Sequence, residues 1–414
     1  MKGRVVITGL GVVTPLGETL EAFWSGLMAG RSGIRRVEEF SVNGFPCRIA
    51  GVIPDFRAED HLPAKEARRM ARVSQIAVAA GKKAVADAGL PLPLRDPERV
   101  GVYMGTAMGG LDKVDEGIEI YRTRGLDRVS PFTLPAALPN MPAFHVTQVL
   151  GAVGPNATFT TACAAGTQAV GEAAQAIAYG RADVVVAGGA EALIRYFTLG
   201  GFAVMRALPT NYNESPERAS RPFDARREGF VFSEAAAVLV LESLEHARQR
   251  GARVYAEVLG YASSGDAYHI ASLDPSAEGP ARTMRLALLD ADVPPESVDY
   301  INAHGTSTQV NDAVETAAIK RIFGERAYAI PVSATKSMVG HSLGAAGAVE
   351  AAVCALTISR GQIHPTVNYE YPDPACDLDY VPNQPREAKV EIALSNSFGL
   401  GGQNACLVLR RSEA

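Results

Sequence analysis

The chain has 414 residues, of which 47% are hydrophobic and 21% charged, so it is too apolar for a disordered chain and long enough for several domains or one large fold. A formal net charge of −5 gives no support to nucleic-acid binding, which needs a basic surface. Five cysteines, an odd number at irregular spacing, fit neither a disulfide framework nor a zinc site and indicate a reducing compartment.

Short β-branched runs alternate with alanine-rich stretches along the chain. We expect strands over 4–8, 100–104, 158–161, 183–187, 235–241, 254–260, 300–303, 331–334, 392–396 and 405–409. We expect helices over 18–29, 65–88, 164–179, 280–291, 312–323 and 342–359. Strands that alternate with helices predict a layered α/β fold.

A weak internal echo links two parts of the chain. Residues 158–187 and 331–363 both have the pattern of a strand, a Gly/Ala-rich helix, a glycine and a second strand. Helices without bulky side chains pack closely against other backbone on all sides. The echo predicts two similar halves, which we place at residues 1–250 and 251–414.

Two apolar stretches bear on the location of the protein. The run 5–7 is too short for the core of a signal peptide. The stretch 342–358 contains Glu350 and is shorter than a membrane span, so it is expected to form a buried helix. We therefore expect no membrane insertion and a cytoplasmic protein.

Cys163 lies between a predicted strand and a predicted helix, in the sequence TTACAAG. A thiol at a helix N-terminus feels the positive end of the helix dipole, which favours the thiolate and predicts a lowered pKa. The free N–H groups there are also suited to hold an oxyanion. A buried structural cysteine is the alternative reading for this residue, and it is the reading we keep for the other four cysteines.

Two histidines occur in similar settings. His304 follows a predicted strand in NAHGTST, and His341 follows another in KSMVGHS. A single histidine in either place is more often structural than catalytic. Ligand crevices in α/β sheets lie at the carboxyl ends of strands, so one cysteine and two histidines at such ends predict a common active site.

Two familiar motifs do not fit their usual contexts. The sequence GHSLG at 340–344 matches the nucleophile elbow of α/β-hydrolases, but no acid and histidine follow Ser342 in the order that a catalytic triad needs. The sequence GLGVVT at 9–14 begins like a dinucleotide-binding fingerprint, yet Thr14 replaces its last glycine. We reject both readings.

Two further features have plain alternatives. The turn GLGG at 399–402 is either a mobile gate or oxyanion loop or an ordinary hairpin turn. Lys65, Arg68, Arg69 and Arg72 recur at the spacing of one helix face. Such a face is usually only solvated, but on an acidic protein it is also suited to dock an acidic partner.

The motifs TACAAG at 161–166, NAHGTST at 302–308, KSMVGHSLGAAGAVE at 336–350 and NSFGLGGQN at 396–404 together closely resemble the β-ketoacyl-acyl-carrier-protein synthases, in particular the elongating synthase II type. The resemblance runs from residue 5 to residue 382. It implies the thiolase-like fold, five α-β-α-β-α layers built from two similar halves, and a homodimer. The chain departs from the family pattern in four places: FSEAAA (232–237), Ala164–Ala165, Gln403 and 135–145.

The resemblance also implies roles for individual residues. Cys163 would be the acyl-accepting nucleophile, His304, His341 and Lys336 the other catalytic residues, and Glu350 the partner of Lys336. Phe398 would gate the acyl pocket and share the oxyanion hole with Cys163, while Thr306, Thr308, Phe398 and Gly399 would contact the substrate. Lys65, Arg68 and Arg69 would dock the acyl carrier protein.

The activity expected from this resemblance is decarboxylative condensation of an acyl chain with malonyl-acyl carrier protein in fatty-acid elongation. It requires no metal and no cofactor beyond the phosphopantetheine that the substrates carry. A ketosynthase of a type II polyketide or other secondary-metabolite pathway is the alternative. A non-catalytic chain-length factor and a cysteine hydrolase are further hypotheses, disfavoured by the presence of Cys163 and by the paired histidines.

Overall fold

The computed structural model describes residues 3–412. The strands are β1 (Val5–Val13), β2 (Ile34–Arg36), β3 (Ile49–Gly51), β4 (Val100–Gly105), β5 (Asn156–Phe159), β6 (Val184–Glu191), β7 (Ala235–Ser243), β8 (Ala256–Gly265), β9 (Tyr300–Asn302), β10 (Val332–Ser333), β11 (Gln362–Ile363), β12 (Arg386–Glu387), β13 (Ile392–Gly399) and β14 (Gln403–Arg410). The helices are α1 (Leu20–Met28), α2 (Ala64–Ala67), α3 (Arg72–Asp87), α4 (Leu111–Arg124), α5 (Thr133–Ala137), α6 (Met141–Leu150), α7 (Ala165–Ala178), α8 (Tyr196–Val204), α9 (Leu244–Gln249), α10 (Glu278–Ala291), α11 (Gln309–Phe323), α12 (Lys336–Val339) and α13 (Ala346–Arg360).

Ten strands form one continuous sheet in the order β5-β4-β6-β7-β1-β8-β14-β13-β9-β10. Its two ends have the same plan: β4 is parallel to β5 and β6, and β9 is parallel to β10 and β13. In each half the next two pairings are antiparallel. The halves join where β1 pairs with β8 over three residues, Val5 to Ile7. The two similar halves predicted from the internal echo are present.

Three hydrophobic clusters of the described residues follow the layers of the fold. The central one holds α7 and α13, with residues such as Val170 and Ala352, against side chains of both sheet halves. One outer cluster joins α3 to the first half, and the other joins α10 and α11 to the second half. A side chain at Gly166 would come within 2.8 Å of the Ala348 backbone, so glycine there permits the close approach of α7 and α13. The five predicted layers, α-β-α-β-α, result.

Residues 65–88 do not form the single helix that we predicted. α2 ends at Ala67 and α3 begins at Arg72, because Met70 and Ala71 turn into the core between them. The Arg72 guanidinium bonds the buried Glu234 carboxylate at 2.7 and 2.8 Å. The prediction that Lys65, Arg68, Arg69 and Arg72 share one helix face is therefore wrong, and Arg72 does not lie with the other three.

Within residues 3–412, one helical stretch, Leu343–Arg360, is long and apolar enough to cross a membrane by length and composition. Most of this stretch is buried inside the fold. The stretch is therefore a buried core helix, which confirms the expectation for residues 342–358.

Candidate active site

Cys163 lies in a single 3-10 turn, Ala162–Ala164, between β5 and α7. The residue before it, Ala162, has φ +50, a left-handed conformation that costs free energy for a residue with a side chain. The bend directs the thiol into a crevice rather than along the helix. Strain of this kind beside a reactive group is typical of a functional site.

The pKa of the Cys163 thiol is raised to about 11, because its removal from water outweighs the lowering by the nearby Lys336 ammonium. Our prediction of a lowered pKa at the helix N-terminus is therefore wrong. At neutral pH the residue is a thiol, which needs a base to become a nucleophile.

His341 is placed to be that base. Its Nε2 lies 3.0 Å from Sγ of Cys163. Burial and the Lys336 charge hold the pKa of His341 well below its usual range, so its imidazole is neutral and free to accept a proton. Its backbone is fixed by bonds to Val231 and Ser233 at 2.7 and 3.0 Å.

His304 stands beside His341, with the ring centroids 5.4 Å apart and nearly perpendicular. Its pKa is also held well below the usual range, chiefly by burial and by Lys336. The Lys336 ammonium donates to the His304 carbonyl at 2.7 Å and lies 3.3 Å from Nδ1. It also pairs with Glu350, whose pKa is raised to about 7 by burial. The structure thus brings Cys163, His304, His341, Lys336 and Glu350 together, as expected.

The three reactive groups are tightly clustered. The sulfur of Cys163 and one ring nitrogen of each histidine lie within 4.8 Å of one another. By spacing alone such a set would also accommodate a metal ion. The expectation that the reaction uses no metal stays a prediction.

The strand β13 and its turn supply the opposite wall. Phe398 packs against His304, with ring centroids 5.6 Å apart. The backbone N–H groups that face the Cys163 sulfur are those of Cys163 and Leu400. The oxyanion hole expected from the N–H groups of Cys163 and Phe398 stays a prediction, and Leu400 was not singled out from the sequence. A side chain at Gly399 would come within 2.8 Å of the Thr161 carbonyl, so glycine there allows the turn to lie against the nucleophile loop.

A cavity of about 410 Å³ leads from the surface to these groups. Thr306 and Thr308 line it, and their hydroxyl groups are 2.9 Å apart. Arg227 holds this loop by donating to the carbonyls of Thr308 and Gln309 at 2.9 and 3.0 Å. The walls are mixed apolar and polar, which suits a narrow chain with amide groups better than a compact ionic ligand.

Two buried carboxylates that we did not predict from the sequence position the catalytic loops. Glu315 on α11 accepts from the backbone N–H groups of His304 and Gly305, both at 2.8 Å. Glu191 at the end of β6 accepts from Ala107 at 2.6 Å and from Gly344 at 3.1 Å. Burial raises the pKa of each to about 7. An acid within a helix or strand normally faces solvent. The apolar run around Glu191 was a sequence signal for its burial, whereas the mixed polar and apolar residues around Glu315 gave none.

Lys65, Arg68 and Arg69 are exposed, on α2 and on the bend that follows it. The Arg69 guanidinium lies 4.6 Å from the centre of the Phe132 ring. The three cations share a surface although they do not share one continuous helix. Their role in docking stays a prediction.

A larger cavity, about 620 Å³, lies elsewhere, between α1, α3 and the end of α13. Its charged side chains are largely paired with one another, as in the contact of 3.6 Å between Lys83 and Glu18. It holds none of the reactive groups described above, so we assign the chemistry to the cavity at Cys163.

Comparison with protein families and relatives agrees with this geometry. The family model described as beta-ketoacyl synthase, N-terminal domain, matches residues 2–247, and the model of the C-terminal domain matches residues 255–370. The 3-oxoacyl-[acyl-carrier-protein] synthase 2 of Coxiella burnetii is 46% identical over 410 residues, covering 99% of each chain. The enzyme of the same name from Synechocystis is 46% identical over 410 residues, covering 99% of this chain and 98% of that protein.

Solved structures are similar over the whole chain. A beta-ketoacyl synthase from Burkholderia phymatum has a TM-score of 0.93 at 38% identity, with 100% of both chains covered. A type II polyketide ketosynthase, solved in complex with its acyl-carrier protein, has a TM-score of 0.93 at 37% identity with the same coverage. On the family models, the full-length relatives and the shared fold, this chain belongs to the β-ketoacyl synthase family.

Proposed function

We propose that the protein is an elongating condensing enzyme that joins an acyl chain on Cys163 to a malonyl unit and yields a β-ketoacyl-acyl carrier protein in fatty-acid synthesis. The observation that carries this proposal is the pair of buried, neutral histidines, His304 and His341, that face one thiol. A hydrolase needs one base, whereas a decarboxylating condensation uses two hydrogen-bond donors at one oxygen.

In the first half-reaction the acyl chain moves to the enzyme. His341 Nε2 takes the thiol proton, and the Cys163 sulfur attacks the carbonyl carbon of the acyl thioester. The backbone N–H groups of Cys163 and Phe398 would hold the oxyanion that forms, as the family resemblance implies. The carbon–sulfur bond to phosphopantetheine then breaks, and the leaving thiolate takes the proton from His341.

In the second half-reaction the malonyl thioester enters. The bond to its carboxylate breaks, CO₂ leaves, and the electron pair moves onto the thioester oxygen as an enolate. His304 and His341 donate to that oxygen, since both are neutral imidazoles in a buried site. The enolate carbon attacks the acyl carbonyl, a carbon–carbon bond forms, and the Cys163 sulfur departs as a thiolate, which takes a proton from solvent.

Acyl carrier protein is the proposed partner, in its acyl and malonyl forms. Lys65, Arg68 and Arg69 form an exposed cationic surface that would attract an acidic carrier. Thr306 and Thr308 would hold the phosphopantetheine arm in the cavity, and no other cofactor is needed.

A homodimer is part of the same proposal. The strand β5 lies at the end of the ten-stranded sheet, where it offers backbone groups to another strand. Beside it, α4 to α6 and their loops expose apolar side chains, among them Leu126, Leu134 and Leu138. A second copy that pairs along β5 would cover this surface.

The alternative pathway rests on two of the structural neighbours. Besides the carrier-protein complex, the ishigamide ketosynthase/chain length factor has a TM-score of 0.91 at 39% identity. The full-length relatives named synthase 2 are more similar in sequence, at 44–46%. We therefore favour fatty-acid elongation.

The test is release of ¹⁴CO₂ from carboxyl-labelled malonyl-acyl carrier protein, together with formation of the β-ketoacyl product, against acyl carriers of four to sixteen carbons. Turnover across saturated chains supports elongation. Product formation with only polyketide-type primers would support the alternative, and no release with any primer would refute both.

A further inference from the structure

Residues 231–233 form a short backbone bridge next to the catalytic histidine. The Ser233 N–H donates to the His341 carbonyl at 3.0 Å, and the His341 N–H donates to Val231 at 2.7 Å. On the other side the Gly51 N–H donates to Phe232 at 2.8 Å. The segment therefore ties the His341 loop to β3.

The Ser233 side chain adds a bond that the backbone cannot make. Its hydroxyl is completely buried and donates to the Val339 carbonyl at 2.6 Å. The carbonyls of Gly51 and Glu234 lie farther from it, at 3.1 and 3.2 Å. A hydroxyl has one proton to donate, and the shortest contact identifies Val339 as its acceptor.

Val339 is the last residue of α12, the helix that begins with Lys336. Carbonyls at a helix end lack a partner within the helix. Gly340 follows with φ +73, a turn that only glycine makes without strain, and then comes His341. The Ser233 hydroxyl thus bonds the backbone at Val339, which lies between Lys336 and His341 in the chain.

We infer that Ser233 is a positioning residue that sets the orientation of His341, and through α12 that of Lys336, by hydrogen-bonding the Val339 carbonyl. The inference rests on the proposed function, because the orientation matters only if His341 serves Cys163 and the malonyl oxygen. Small displacements of a catalytic group lower the rate strongly without weakening substrate binding.

Replacement by alanine and by glycine separates this role from simple stability. Ser233→Ala removes the donor and leaves a methyl group in its place, so the Val339 carbonyl is buried without a partner. Ser233→Gly leaves a space beside three carbonyls in which a water molecule can donate instead. Glycine costs more backbone entropy than alanine, so the expected order of thermal stability is Ser, Ala, Gly, whereas the expected order of turnover is Ser, Gly, Ala.

The experiment measures kcat and KM for acyl and malonyl carrier substrates, the melting temperature, and the rate of Cys163 alkylation by iodoacetamide in the wild type and both variants. We expect about a tenfold lower kcat for Ser233→Ala with KM within about twofold, slower alkylation below pH 9, and partial recovery in Ser233→Gly. Thr8→Val is the matched control, since it removes the buried hydroxyl of Thr8 in β1, which bonds Glu242 in β7.

Turnover that falls in the same order as the melting temperature, with glycine slowest, would overturn the inference, as would a kcat of Ser233→Ala equal to that of the control. If the alanine variant does not fold, an unchanged kcat in Ser233→Gly overturns it and a lowered one with unchanged KM supports it. A wild type without any condensation would refute the proposed function itself, a result distinct from either outcome for Ser233.

Discussion

The Lys336 ammonium lies 3.3 Å from Nδ1 of His304. An ammonium group donates and never accepts, so Nδ1 accepts and the single proton of the neutral ring is on Nε2. His304 is therefore fixed as a donor. His341 differs, because among residues 3–412 its Nδ1 has no hydrogen-bond partner. Its tautomer is not fixed, which allows it to accept a proton from Cys163 and later to donate to the malonyl oxygen.

This difference predicts distinct effects of the two histidine variants. His304→Ala should lower decarboxylation by about 10²–10³, the usual cost of one oxyanion donor, and leave acyl transfer to Cys163 within a few-fold of wild type. His341→Ala should slow both steps. Labelled acyl transfer and ¹⁴CO₂ release measure the two half-reactions, and equal losses of both in His304→Ala would contradict the assignment.

Cys163→Gln should keep decarboxylation and abolish condensation. The amide has about the size of an acylated thiol and offers no nucleophile, so the histidines still face a filled pocket. Release of CO₂ without β-ketoacyl product is the expected result, and Cys406→Ser, at a buried cysteine of β14, is the control. Condensation by the glutamine variant would show that Cys163 is not the nucleophile.

Alkylation of Cys163 should depend on pH in a way that an ordinary thiol does not. Because burial raises its thiol pKa to about 11, the rate with iodoacetamide should keep rising above pH 9 instead of levelling off. Peptide mapping after short exposures at pH 7 to 10.5 gives the profile. A plateau below pH 8 would indicate a lowered thiol pKa and would support the prediction that the helix dipole stabilises the Cys163 thiolate.

Glu315 links stability to pH. Its carboxyl pKa is raised from 4.5 to about 7 in the folded protein, so its contribution to stability is fully present below pH 4.5 and is lost as the pH rises through 7. The difference in free energy of unfolding between wild type and Glu315→Gln should therefore fall by about 3 kcal/mol between these pH values. Urea titrations at pH 4.5, 6 and 7.5 measure it, and a constant difference would mean that the carboxyl does not hold its proton.

Reversal of Lys65, Arg68 and Arg69 to Glu should raise KM for carrier-protein substrates and flatten its dependence on salt, since charge complementarity acts mainly on association. Turnover of a small acyl-pantetheine should hardly change. The matched control reverses three exposed arginines elsewhere, Arg181, Arg248 and Arg285. Equal slowing of both substrates would mean that the three residues serve the structure. Arg72 is left out because it holds Glu234.

The sequence was sufficient for the ten strands of the large sheet, but not for the short strands β2, β3 and β12. His304 and His341 follow the neighbouring strands β9 and β10, whose carboxyl ends any α/β sheet brings to one edge. Cys163 follows β5 at the far end of the sheet, and it reaches the histidines because the two halves pack together through α7 and α13.

The break between α2 and α3 was not predictable, since it depends on tertiary contacts: Met70 and Ala71 are buried in the core, and Arg72 bonds the distant Glu234. The helices α4, α5, α6 and α8 were missed, because their apolar residues face outward as well as inward and blur the helical period.

The sequence predicted the identity of the site residues better than their pKa values. The helix position of Cys163 favours a thiolate, but only the fold shows how completely the sulfur is withdrawn from water. Glu315 and Glu191 were not predicted for a related reason. Their partners are backbone N–H groups of loops that are remote in the sequence. A sequence pattern shows which side chains are present, but not which backbone donors are free.

The left-handed bend at Ala162 has a counterpart at Leu343, which has φ +40 and also precedes a central helix. After the first bend comes Cys163; after the second comes Gly344, which presents only an N–H. Each bend is completed by the opposite half: His341 reaches the sulfur, and Glu191 receives the Gly344 N–H at 3.1 Å. The two halves are thus reciprocally dependent, and a chain cut between β7 and β8 would regain catalysis only when both fragments reassociate.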